Sequence, residues 1–154
     1  MKRKARAKQR RTREWRLVSL TIAGKYLDPK KVAKALDVLP DSSGKLGELY
    51  RKGRKSKQGF WALQGGPTTW RTETQMKNIL KRIAPAKHRL TELIKEDKTV
   101  ERAYLTIAFA PPKGIPNAGY CFDAELMNEF TSIGIDIALS IQIREEWERA
   151  FKGN

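Results

Sequence analysis

Apolar and polar residues alternate in several short segments of the chain, which is the pattern of β-strands with one buried face. In the first segment Val18, Leu20 and Ile22 alternate with Ser19 and Thr21. The last segment has isoleucine or leucine at every second position. The strands predicted in this way are 17–23, 60–64, 103–109 and 135–143, together with a short strand at 48–51 that pairs with 60–64 as a hairpin, whereas 40–47 is predicted to be a loop.

Other segments repeat their apolar residues every three or four positions, which indicates helices packed on a core. Asp28 is a predicted N-cap, and Pro29 suits the first helical position because its missing N–H costs nothing there. A long helical pattern covers 72–95, and Pro85 predicts a kink or a division into two helices. The predicted apolar face of the first helix contains Val32, Ala35, Leu36 and Leu39, and that helix ends before Pro40.

Two further helices are predicted in the last third of the chain. Asp123 caps a short helix that Gly134 ends, and 145–151 forms a terminal helix. The apolar face of the short helix consists of Leu126, Met127, Phe130 and Ile133.

The order of these elements predicts an α+β fold. Strands with one polar face favour a mostly antiparallel sheet with helices packed on one face, a ferredoxin-like sandwich. A chain of 154 residues has the length of one ordinary domain. We therefore predict a basic arm at 1–15, disordered when free, and a single α+β domain at 16–154 with a basic loop at 45–59.

Positive charge is concentrated in that arm and that loop. The chain has a formal net charge of +15, of which residues 1–16 contribute +8 and residues 45–59 contribute +5. A localised positive field attracts polyanions or acidic proteins. The predicted binding residues are Lys2, Arg3, Lys4, Arg6, Lys8, Arg10, Arg11, Arg13, Arg16, Arg51, Lys52, Arg54, Lys55 and Lys57, with Trp15 and Tyr50 as stacking partners.

No set of residues predicts catalysis or a cofactor. His88 and Cys121 are the only histidine and the only cysteine, so no disulfide and no zinc site of ordinary composition is predicted. We expect His88 to be exposed and Cys121 to be buried. Asp123 and Asp136 are interpreted as a cap and a solvated strand residue, and the sequence leaves open whether they form a site with Cys121. No glycine group matches a phosphate-binding loop. The chain is predicted not to be an enzyme.

The N-terminus does not predict export or membrane attachment. Leu17 to Ala23 alternates and lacks the apolar core of a signal peptide, and no run approaches 18 apolar residues. No acylation signal accompanies the polybasic arm. A cytoplasmic location without membrane contact is therefore expected.

The order of several motifs resembles a known family. These are Leu27-Asp28-Pro29 after a strand, Gly59-Phe60-Trp61, the long helix, the strand around Leu105-Thr106-Ile107, and the ending that contains Phe122, Leu126, Gly134, Asp136 and Ile137. Over about residues 16–143 the chain resembles the small bacterial domain-of-unknown-function family 4279. The resemblance implies a single α+β domain without established catalytic residues, and some members are suspected immunity proteins beside toxins.

Two functional hypotheses follow. The first is a non-enzymatic protein whose basic arm and loop contact the phosphate backbone of DNA or RNA with low sequence specificity. The second is an immunity-like, antitoxin-like or inhibitor protein that binds an acidic protein partner. The sequence indicates no small-molecule substrate and leaves open the oligomeric state and whether the arm and the loop share one face.

Overall fold

The computed structural model describes residues 15–50, 53–110 and 121–141. Its strands are β1 (Trp15–Gly24), β2 (Ser42–Gly44), β3 (Leu49–Tyr50), β4 (Arg54–Lys55), β5 (Gly59–Gln64), β6 (Arg102–Ala110) and β7 (Asp136–Ile141). Its helices are α1 (Pro29–Leu36), α2 (Thr72–Ile83), α3 (Lys87–Glu96) and α4 (Ala124–Thr131), with a 3₁₀ turn at Ala84–Ala86. The described residues contain no helix long and apolar enough to cross a membrane.

Five strands form one mixed sheet in the order β2-β5-β1-β6-β7. The pairs β2/β5, β5/β1 and β1/β6 are antiparallel, and β6/β7 is parallel. The fold is therefore α+β, as predicted. From β1 to β6 the main sheet and its helices follow the order β-α-β-β-α-β, and β7 adds a parallel strand that a four-stranded ferredoxin-like sandwich lacks. Strands β3 and β4 form a separate two-stranded ribbon.

The hydrophobic core lies between the sheet and all four helices, on one face of the sheet. Val18, Leu20 and Ile22 of β1 are 0% exposed, because alternate residues of a strand point to the same side. Trp61 and Leu63 continue this layer on β5. The helices contribute Val32, Leu36, Met76, Ile79, Ile83, Leu90, Leu126 and Phe130.

The first helix ends earlier than its apolar pattern predicts. Asp28 caps it as expected, since its Oδ1 accepts a hydrogen bond from the Lys30 N–H at 3.0 Å. Asp37 adopts a left-handed conformation with φ of 56°, and this ends α1 at Leu36. The prediction that Leu39 belongs to the buried face is therefore wrong, and Leu39 is 82% exposed.

The region between α1 and β5 also differs from the prediction. Residues 42–44 form an edge strand on β5, so neither the loop at 40–47 nor the hairpin between 48–51 and 60–64 is correct. Asp41 fixes this edge, because its N–H donates to the Ala62 carbonyl and its carboxylate accepts the Gln64 N–H at 2.7 Å. Gly44 fits because a Cβ there would lie 2.9 Å from the Phe60 ring. With β5 already paired, β3 pairs within the basic segment instead.

The later elements agree with the sequence. Pro85 lies in the 3₁₀ turn that separates α2 from α3, and Asp123 caps α4 by accepting the Glu125 N–H at 2.9 Å. The strand predicted at 135–143 is observed as β7. Leu139 and Ile141 on that strand are 57% and 68% exposed. The predicted terminal helix at 145–151 and residues 1–14 of the predicted arm lie outside the described residues.

A buried glutamine joins α2 to the beginning of β1. Gln75 is 0% exposed, and its Oε1 accepts the Val18 N–H at 2.9 Å. Its Nε2 donates to the carbonyls of Arg16 at 3.3 Å and Trp70 at 3.2 Å. The Gln75 amide thus forms hydrogen bonds with the backbone edge of β1 beyond the point where the pairing with β5 ends.

Candidate functional site

The face of the sheet opposite the helices carries small and polar side chains. Strand pairing places Ser42, Ala62, Thr21 and Tyr104 in one row across four neighbouring strands. Most side chains on this face are half-buried. No helix of the described chain packs on this side, which we call the open face.

The ribbon formed by β3 and β4 belongs to the basic segment. Its base is closed by two backbone hydrogen bonds, from the Gly47 N–H to the Ser56 carbonyl and from the Ser56 N–H to the Glu48 carbonyl, both 2.8 Å long. The Glu48 carboxylate accepts the Lys45 N–H at 2.8 Å. The single acidic residue of this segment therefore accepts a backbone hydrogen bond at the base of the ribbon and forms no ion pair with a described cation.

The ribbon and the open face together line a cavity of about 630 Å³. Arg54, Lys55 and Lys57 contribute its positive charge, and no carboxylate is among the described residues that line it. Its other lining residues are Leu17, Ser19, Thr21, Ser42, Ser56, Gln58, Phe60, Ala62, Gln64 and Tyr104.

The cations of this cavity differ from Lys45, the other basic residue of the segment that the structure describes. The Lys45 ammonium lies 3.1 Å from the Asp28 carboxylate, and this hydrogen bond holds the pKa of Asp28 below its ordinary value. In contrast, Arg54, Lys55 and Lys57 are exposed and form no ion pair with any described residue. Lys45 stabilises the loop, whereas the three cavity cations are available to an anion.

Comparison with protein families identifies the domain. The model of the family described as "Domain of unknown function (DUF4279)" matches residues 13–144. The chain belongs to this family. No curated protein and no solved structure matches it. The DUF4279 segment contains every residue that lines the cavity, so the cavity is a feature of the family domain in this chain, while residues 1–12 precede the match.

The predicted binding residues are only partly described in this DUF4279 domain. Arg54, Lys55 and Lys57 come together at the cavity. Trp15 and Arg16 belong to β1, where both have contacts, and Trp15 shares the face of the cavity residue Leu17. The remaining predicted residues lie outside the described ones: Lys2, Arg3, Lys4, Arg6, Lys8, Arg10, Arg11, Arg13, Arg51 and Lys52, as does the side chain of Tyr50.

The rings that line the cavity are not the two that the sequence singled out. Phe60 and Tyr104 are half-buried on the open face. The alternation of side chains along a strand could have identified these two rings from the sequence. Once Trp61 and Leu63 are assigned to the core, Phe60 must point to the other face, and Leu105 places Tyr104 there in the same way.

None of the residues considered for catalysis lines the cavity, although Asp136 pairs with the lining residue Tyr104 on the neighbouring strand. His88 is exposed as expected, with its Nδ1 3.3 Å from a Glu92 carboxylate oxygen. Cys121 is also exposed, so the prediction of a buried thiol is wrong. Its neighbour Phe122 packs against the core instead, which leaves Cys121 turned to solvent. Asp136 is exposed on β7, and within the described ranges no three metal-ligating side chains cluster.

Proposed function

We propose that this protein is a non-enzymatic binding protein that contacts the phosphate backbone of nucleic acid with low sequence specificity. One observation carries the proposal: Arg54, Lys55 and Lys57 border the open face, lack ion pairs among the described residues and share a cavity without a lining carboxylate. Because nucleic acid carries a dense row of phosphates, a cluster of unpaired cations on one surface suits it.

The basic N-terminal residues extend the same proposal. They precede β1, whose residue Leu17 lines the cavity. If about six basic side chains neutralise phosphates, the logarithm of the affinity for DNA should fall with the logarithm of salt concentration with a slope of about −5. Affinity should then fall about a thousandfold between 50 and 200 mM salt. Deletion of residues 1–13 should reduce both the affinity and this slope.

Matched charge variants test the ribbon directly. The variant in which Arg54, Lys55 and Lys57 are replaced by alanine loses three cavity charges. The control replaces Lys77, Lys81 and Lys95 by alanine. These lysines are exposed on the helical layer, so the control removes the same number of charges away from the cavity. Fluorescence anisotropy with a labelled duplex DNA, across salt concentrations, measures affinity and slope.

The proposal gives different results for these two variants. The cavity variant should reduce the magnitude of the salt slope by about 2 to 3, since each phosphate contact contributes about 0.9. The helical variant should leave the slope close to that of the unchanged protein. Equal losses in both variants would show that only total charge matters, and no binding of either duplex DNA or single-stranded nucleic acid at 50 mM salt would reject the proposal.

An acidic protein is the second candidate partner. Leu46 and Leu49 are exposed within the basic segment, and apolar side chains beside cations suit a protein interface better than a phosphate backbone. A complex of this kind should survive nuclease treatment and weaken when both leucines are replaced by serine. Nucleic-acid binding should be unchanged by the same replacements.

A further inference from the structure

We infer that the open face binds single-stranded nucleic acid, with bases stacked on Phe60 and Tyr104 and phosphates held by the ribbon cations. This inference rests on the proposed function and deepens it, since phosphate contact alone does not distinguish a single strand from a duplex. The observation that carries it is the combination, within one cavity, of two aromatic rings and three cations.

The two rings occupy separate positions on the sheet. Thr21 of β1 pairs with Ala62 on one side and with Tyr104 on the other, and Phe60 lies two residues before Ala62 on β5. Neighbouring strands are about 4.8 Å apart, so β5 and β6 are separated by roughly 10 Å. Ring pairs contact at centroid distances of about 4.5–7 Å. One base therefore cannot stack on both rings, and each ring accepts its own base.

The floor between the rings leaves room for bases. Ser19, Thr21 and Ala62 are small, and the hydroxyl groups can exchange hydrogen bonds with the edges of bases. A cavity of about 630 Å³ falls in the size range of small-molecule sites, about 300–1,000 Å³. That volume suits one or two bases turned out of a chain, and it is too small for a double helix.

The charge distribution favours a strand that runs along the ribbon. Arg54, Lys55 and Lys57 form one side of the cavity, and the rings belong to its floor. In a single strand the bases can turn away from the phosphates and stack on aromatic side chains. In a duplex the bases are paired with each other, so the same rings would have no base to contact. Only the single strand uses both features.

Substitution of the rings separates stacking from charge. Tyr104→Leu and Phe60→Leu remove one ring each, Tyr104→Phe keeps the ring, and Tyr26→Leu removes an exposed ring outside the cavity lining. Binding is measured by fluorescence anisotropy, across salt concentrations, with an oligothymidylate and an oligouridylate of about twelve nucleotides, within the usual range of single-strand sites. A duplex of equal length is the comparison ligand.

The expected result is a loss confined to single strands. Tyr104→Leu and Phe60→Leu should each weaken single-strand binding about tenfold, because stacking contributes substantially for each base. The salt slope should be unchanged, since no charge is altered. Tyr104→Phe and Tyr26→Leu should bind like the unchanged protein. Thermal unfolding checks that each variant remains folded, above all Phe60→Leu, because the Phe60 ring lies beside Gly44.

Other results would reject the inference in distinguishable ways. Binding that depends on the three cations but is equal for single strands and duplexes would overturn the inference and leave the proposed function standing. The same conclusion would follow if ring substitutions, in folded protein, left single-strand affinity unchanged or weakened duplex binding equally. Absence of binding to every ligand at 50 mM salt would overturn both.

Discussion

The two faces of the sheet are built from the same strands and yet have opposite character. On β1, Val18, Leu20 and Ile22 are completely buried beneath the helices, whereas Ser19 and Thr21 between them are half-buried on the open face. The covered face contains large apolar side chains, whereas the open face contains mostly small and polar ones, together with Leu17 and the rings of Trp15, Phe60 and Tyr104. One face therefore specifies the fold, and the other is the face that we propose for nucleic-acid contact.

This difference explains why the basic ribbon can carry charge without harm to the fold. The ribbon borders the open face and joins the main sheet through short connections, Lys45–Glu48 and Ser56–Gln58. Burying its cations would require paired carboxylates, because an unpaired charge in a core is costly. At the open face they remain exposed and can bind an anion. Substitutions on the covered face should therefore change stability, and substitutions at the ribbon should not.

The largest difference in stability should be found between substitutions at two neighbouring residues that lie on opposite faces of β1. Leu20→Ala should lower the free energy of unfolding by about 2–5 kcal/mol, because it leaves a cavity beneath the helices. Thr21→Ala should lower it by less than about 1 kcal/mol, since its site is half-buried and polar. Urea unfolding measures both. Similar losses in the two variants would contradict the division between the faces.

A smaller loss is expected where Gln75 of α2 binds the edge of β1. Gln75→Leu should lower the free energy of unfolding by about 2–3 kcal/mol, because the Val18 N–H and the Arg16 and Trp70 carbonyls lose their hydrogen-bond partner. Thr74→Ala at the adjacent exposed position is the control and should have little effect. Equal stability of Gln75→Leu and the unchanged protein in urea would show that the amide is dispensable.

The elements of the covered face could be predicted from the sequence because burial leaves a periodic record. The strands β1, β5 and β6 and the two helices on either side of Pro85 follow from apolar spacing. The same spacing predicts β7, although its Leu139 and Ile141 are exposed. Leu39 was assigned wrongly because its spacing fits the helix, whereas the left-handed conformation of Asp37 ends that helix first. Apolar spacing shows which residues would be buried if a helix continued. It does not show at which residue the helix ends.

The residues that surround the open face could be predicted only in part. The pairing of β2 and the position of the ribbon depend on residues that are distant in the chain. β2 consists of two serines and a glycine, which have no apolar period, and it forms because Asp41 and Gly44 fit the edge of β5. The charge of the basic segment was evident from composition. That Arg54, Lys55 and Lys57 share a cavity with Phe60 and Tyr104 follows from the fold of the ribbon over the sheet.

An ion pair at the edge of the sheet should make stability depend on pH. Partial burial raises the pKa of Asp41, but the hydrogen bonds from the Arg82 guanidinium and the Gln64 N–H together lower it below its ordinary value. A carboxyl whose pKa is lower in the folded state stabilises the protein above the pKa of the unfolded chain. This contribution is lost as pH falls through the lower, folded pKa.

Asp41→Asn tests this dependence. At pH 7 the variant should lose about 0.5–1 kcal/mol of unfolding free energy, a small value because both partners remain about one third exposed to solvent. In urea titrations the difference from the unchanged protein should begin to shrink below about pH 4, where the carboxyl of the unfolded chain becomes protonated, and should be lost below the lower pKa of the folded state. Asp136→Asn is the control, because Asp136 is exposed and has no ion pair among the described residues, and it should change the unfolding free energy little at pH 7. A difference that stays constant down to pH 2 would contradict this account.

The smallest effect on stability should come from the three cavity cations. Replacement of Arg54, Lys55 and Lys57 by alanine should change the free energy of unfolding by no more than about 0.5 kcal/mol, because these side chains are exposed and unpaired among the described residues. Any change at low salt should be a gain, since the segment carries a net charge of +5 and its like charges repel one another. Added salt should remove that gain by screening. Urea unfolding at low and high ionic strength measures the change in unfolding free energy and its dependence on salt. A loss above about 1 kcal/mol would show that the cations hold the ribbon in place and do not serve binding alone.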